Sequence, residues 1–158
     1  MAAVQISDQE GLRLAVADGL VAGAAAALPS GAPSTIHALL TGGKPLEASL
    51  AAGSMLLPAD KGRLLAAAAP IHIVLSLGWA VLLSATLPRR HTITYGMAAG
   101  ALIAAFDLGV VGRRFPRIQA LPVLPQVADH LAFGAVVGAV LRGRRERRPT
   151  PQSARRRT

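Results

Sequence analysis

The stretch RLLAAAAPIHIVLSLGWAVLLSATLPRRH, Arg63 to His91, decides the fold. From Leu64 to Leu87 it holds no Asp, Glu, Lys or Arg. At 1.5 Å per residue such a run crosses a hydrocarbon layer of about 30 Å. Period-2 alternation is missing, so it is not a strand. Pro70 lies a turn and a half inside and is expected to kink the helix. Pro88 and Arg89-Arg90 end it.

Three further runs have the same character, and together they predict an all-α polytopic membrane protein. They cover about residues 12–28, 92–112 and 126–141. The first is short and alanine-rich, carries Asp18, and stops at Pro29 and Gly31. The segment between the first two spans, residues 29–63, is broken by Pro33, Gly42-Gly43, Pro45 and Pro58. It predicts two short helices, about 34–41 and 45–57, as a broken or re-entrant pair. Alternatively, 45–57 is a short, tilted fifth span. Residues 1–11 form a polar N-terminus without the basic start of a secretory signal. Residues 12–141 are one membrane domain, and 142–158 a disordered basic tail.

The composition agrees. Apolar residues make up 52% of the 158 positions but aromatics only 3%, so the bulk is Ala, Leu, Val and Gly. Small residues let membrane helices approach closely. Cysteine is absent, which excludes disulfides, thiolate metal sites and a cysteine nucleophile. Arginine outnumbers lysine 15 to 2 and asparagine is absent, the bias of a GC-rich bacterial genome. Together with the spans, this predicts a multi-pass protein of the bacterial inner membrane.

The net charge of +9 is concentrated at one end. Eight arginines lie between Leu141 and Thr158. A polybasic run directly after an apolar helix faces the anionic cytoplasmic leaflet, so the C-terminus is expected in the cytoplasm, bound to anionic lipid headgroups. A nucleic-acid partner is not expected from this placement. Four spans then put the N-terminus and Arg89-Arg90 inside. Arg113, Arg114 and Arg117 fall outside, against the usual charge rule.

Three spans carry G-x-x-x-G: Gly19 and Gly23, Gly96 and Gly100, Gly134 and Gly138. Glycines four apart make a flat strip for a neighbouring helix, within the chain or in a homo-oligomer or another membrane protein. The ionisable residues follow these strips. Asp107 is seven residues, nearly two turns, after Gly100, and His130 is four before Gly134. His72 shares a face with Ser76 and Ala80. All therefore turn inward, since a charge facing lipid costs at least about 2.5 kcal/mol. Alternating helix directions gather His72, Asp107, Asp129 and His130 in the outer half of the bilayer, about 7–12 Å from the helix ends. His37, Glu47, Arg113 and Arg114 open on the same side, and Asp18 belongs to the inner half.

This polar cluster admits three chemistries. It stitches helices, it relays protons or a small solute through a transporter or channel subunit, or it binds a metal for membrane-embedded hydrolysis. The spacing matches no strong metal motif, and no nucleophile elbow, P-loop or dinucleotide fingerprint is present. No catalytic residue, metal or cofactor is therefore assigned. Stitching or partner binding is the leading expectation.

The segments GAPSTIHALLTG, LSLGWAVLL and FDLGVVGRRFPRIQALPVLPQVADHLAFG resemble those of small uncharacterised bacterial four-helix integral membrane proteins. The resemblance covers about Ala32 to Gly138. It implies a membrane-embedded bundle and carries over no catalytic residue.

Overall fold

The computed structural model describes residues 2–58 and 60–148. Among them there is no strand. The helices are α1 (Ala2–Ala27), α2 (Ala32–Leu40), α3 (Glu47–Gly53), α4 (Lys61–Thr86), α5 (Thr92–Phe106), α6 (Pro116–Gln119) and α7 (Val123–Glu146). Three are long and apolar enough to cross a membrane: α4, α7, and α5 with its continuation to Arg114. Residues Gln9–Ala27 and Pro29–Leu40 also qualify as a pair, bent by 41° at the break between them.

The bends follow from local chemistry. Pro29 has no N–H to extend α1, and a 3-10 turn, Pro29–Gly31, links it to α2. Asp60 caps α4, its Oδ1 accepting from Arg63 N at 3.1 Å. After Phe106 the backbone widens into a π-helical turn, Asp107–Val111, and then tightens into a 3-10 turn, Gly112–Arg114. Such π turns concentrate at functional positions. This one begins at Asp107.

α1 packs between α4 and α7, and α5 lies on the other side of α7. The core is Ala22, Ala26, Ala80, Leu83, Ile103, Phe133, Val137 and Leu141. The glycine strips are spent inside the chain. Gly19 lies against the backbone of Val81, and a Cβ on Gly23 would stand 2.8 Å from Ser76 O. Gly96 meets Gly134 backbone to backbone, Gly100 meets His130 O, and a Cβ on Gly138 would stand 2.6 Å from Thr92 O. Gly19 meets Val81 while Gly23 meets Ser76, and Gly96 meets Gly134 while Gly100 meets His130, so both helix pairs are antiparallel. One end of the bundle, the termini end, therefore holds the start of α1, the loop 87–91 and the end of α7. The far end holds the helix break, α3 and α6.

Three boundaries differ from expectation. α1 begins at Ala2, so the segment 2–11 continues the first helix. α3 has seven residues, about 10 Å of helix, which excludes a fifth span at 45–57. Leu50 and Ala51 bury it against α4 instead, where Gly53 contacts Leu64 O. The tail expected to be disordered from residue 142 is helical through Glu146. Arg142 pairs with Glu146 one turn on at 2.7 Å, and the next arginines bond into the bundle. Residues 149–158 lie outside the described residues.

Candidate functional site

The break between α1 and α2 sets the first demand. A helix break leaves carbonyls at one side and N–H groups at the other, and where water does not reach them each unsatisfied group costs several kcal/mol. Two of the four candidate cluster residues answer it. From α4, His72 is exposed rather than turned inward as expected, because its ring reaches along the helix surface to the break: its Nε2 donates to Ala27 O at 2.6 Å, at the last residue of α1. From α7, Asp129 Oδ1 accepts from Ser34 N at 2.9 Å, in the first turn of α2. The signs suit the helix dipole: a donor meets a C-terminus and a carboxylate meets an N-terminus. Ser30 adds a bond to the same Ala27 carbonyl at 3.3 Å.

The other two candidates pair with each other. Gly100 brings α5 against His130 O, and the helical register from Gly100 to Phe106 carries Asp107 round to the same side. His130 Nε2 stands 3.3 Å from Asp107 Oδ2, and His130 Nδ1 donates to Gln126 O at 2.8 Å. Both ring nitrogens thus face oxygen acceptors. A proton on Nε2 completes a hydrogen bond from the imidazole to the carboxylate. Their side chains are 22% and 25% exposed, so the pair is not sealed inside the core.

Among the described residues Asp18 is the most buried acid, its side chain 3% exposed, and it faces the termini end. Arg144 Nε and Arg148 Nη2 each donate to its Oδ1 at 2.7 Å. Arg145 turns to α4, donating to Ser84 O at 3.0 Å, Leu87 O at 3.2 Å and Pro88 O at 3.3 Å. That supplies donors to the carbonyls at the end of α4.

The secondary candidates are peripheral. His37 and Glu47 line a far-end cavity of about 470 Å³ together with Ser34, Lys44, Arg117 and Gln126. Lys44 and Glu47 stand 4.0 Å apart and exposed, an ion pair of little energetic weight. Arg113 and Arg114 are exposed, and their guanidinium groups make no ion pair with Asp107 among the described residues. Among those residues no three His, Asp or Glu side chains group closely enough to share a metal ion. The four-residue cluster is therefore one His–Asp pair and two helix caps.

Sequence reasoning missed Ser34, Arg144, Arg145 and Arg148. The arginines carried a signal: His130, Gly134, Val137, Leu141, Arg144 and Arg148 recur at three or four residues, one unbroken helix face. Ser34 acts through its backbone, which no side-chain pattern reveals.

Helices of membrane-crossing length, a bent helix pair and polar side chains turned onto helix ends define an all-α polytopic membrane protein. No family model matches the chain, and no curated protein or solved structure matches it.

Proposed function

We propose that this is a non-enzymatic, multi-pass protein of the bacterial inner membrane, with both termini cytoplasmic. Its intramembrane polar residues hold a broken-helix scaffold in one shape for a partner or for lipid. The observation that carries the proposal is the pairing of His72 and Asp129 with the two sides of one helix break. Each candidate cluster residue is engaged within the chain. No buried side-chain nitrogen or oxygen among the described residues lacks a partner. The orientation is supported by charge: eleven lysines and arginines fall at or beyond the termini end, against six at the far end.

A second proposal, a small proton or solute carrier, draws on the partly exposed Asp107–His130 pair. Discontinuous helices whose ends meet charged groups also form transporter sites. The Asp107→Asn variant separates the two. In proteoliposomes, the scaffold reading expects flux equal to empty vesicles for wild type and variant, with a lower melting temperature for the variant. A wild-type flux that Asp107→Asn abolishes, in a protein of unchanged stability, would refute it.

A further inference from the structure

Three guanidinium groups converge on one cavity at the termini end. It measures about 540 Å³ and lies between the loop 87–91, the first turn of α5 and the last turns of α7. Arg89, Arg142 and Arg145 line it with His91, and Glu146 is the one carboxylate of its lining. Arg145 is fixed as a wall by its bonds to Ser84 O, Leu87 O and Pro88 O. Arg142 is held by Glu146 at 2.7 Å, both exposed. Arg89, also exposed, shares the cavity with them. Like charges gathered around one space repel, and an anion between them reverses that. The first residues of α5, Thr92 to Thr94, line the same space, and no side chain caps that helix start.

The walls also say what kind of anion fits. Ile93 lines the cavity, and Met97, one turn further on the same face, is 42% exposed. A basic mouth thus continues into an apolar surface directed along the membrane-crossing part of α5. This combination suits a headgroup with its tail and gives a soluble phosphate nothing beyond the mouth.

We propose that this cavity seats the phosphate of an anionic phospholipid, with Arg89 and Arg142 donating to its oxygens and an acyl chain lying along Ile93 and Met97. The proposal deepens the expected tie between the basic end and anionic lipid, and it rests on the membrane setting of that end. It also places the contact on the first turns of the basic segment, at a built site closed by the α4–α5 loop.

The test uses the full chain in nanodiscs of phosphatidylcholine, with and without one-fifth phosphatidylglycerol. Phosphatidylglycerol should raise the melting temperature by about 3–6 °C. Arg89→Gln should remove at least half of that rise. Arg147→Gln deletes the same charge at an exposed position outside the cavity lining and should keep it. Equal losses in the two variants would overturn the site, leaving only diffuse charge. The same rise from inorganic phosphate in detergent would overturn the lipid assignment. Both nanodisc leaflets share one composition, so the result does not depend on orientation. Ser153→Cys, labelled from outside intact cells in a chain that has no other cysteine, tests orientation separately.

Discussion

Gly138→Ala probes the seam that joins α5 to α7. A Cβ at this position would stand 2.6 Å from Thr92 O and 2.8 Å from Ile93 Cα, both backbone atoms that cannot turn aside. Ordinary contact begins near 3.4 Å, so the helices must part by about 0.8 Å locally. A gap of about that size forfeits a quarter to a half of each dispersion contact it spans. Overpacking of this kind costs about 1–3 kcal/mol. Alanine returns up to about 1 kcal/mol through its better helix propensity, leaving a net loss of about 1–2 kcal/mol. Gly78→Ala is the matched control, because nothing lies within 4 Å of a Cβ there. It should be neutral or stabilising by up to about 1 kcal/mol. Unfolding in mixed micelles can be followed by far-UV ellipticity. It can also be followed by the single tryptophan, Trp79, whose ring meets Phe106 edge-on with centroids 6.1 Å apart. If Gly138→Ala proved as benign as Gly78→Ala, the close α5–α7 seam would be wrong.

Asp18→Asn should lower stability by about 2–3 kcal/mol, since it weakens two charge-assisted bonds to a buried carboxylate. In a double-mutant cycle with Arg144→Gln the losses should be less than additive, and simple additivity would contradict the pairing. His72→Phe should cost about 1–2 kcal/mol and raise protease cleavage around Thr41–Pro45, beyond the helix break; an unchanged cleavage rate would count against His72 as the cap of α1. Arg145→Gln should destabilise by about 1–2 kcal/mol and speed hydrogen exchange at the end of α4, whereas exchange confined to α7 would argue that its bonds to Ser84, Leu87 and Pro88 do not form.

Much of the architecture was legible because membrane spans leave a one-dimensional signal. Leu64 to Leu87 announces itself by the absence of charge, and α4 is found at Lys61–Thr86. The glycine spacing likewise located faces, since a glycine strip and the side chain two turns away share a side of the helix. That turned Asp107 inward, with His72, Asp129 and His130 as possible neighbours. Depth and face did not say which partner each polar group takes. His72 bonds a backbone carbonyl and Asp129 a backbone N–H, and every residue except proline offers both groups. Proximity in the bilayer thus suggested one cluster of four, where the helix break draws two of them away. The basic tail was misjudged from composition alone. Its first turns are anchored by Asp18 and by the end of α4, both distant in sequence from Arg144 and Arg145.

Polar side chains carried by α4 and α7 serve the ends of a broken helix, and this is the central claim. Hydrogen exchange at the Ser34 amide in lipid tests it most directly, compared between wild type and Asp129→Ala. Loss of a carboxylate bond of about 1.5–3 kcal/mol should speed exchange there by about 10- to 100-fold, with the α5–α7 seam unaffected. Unchanged protection at Ser34 would contradict the account.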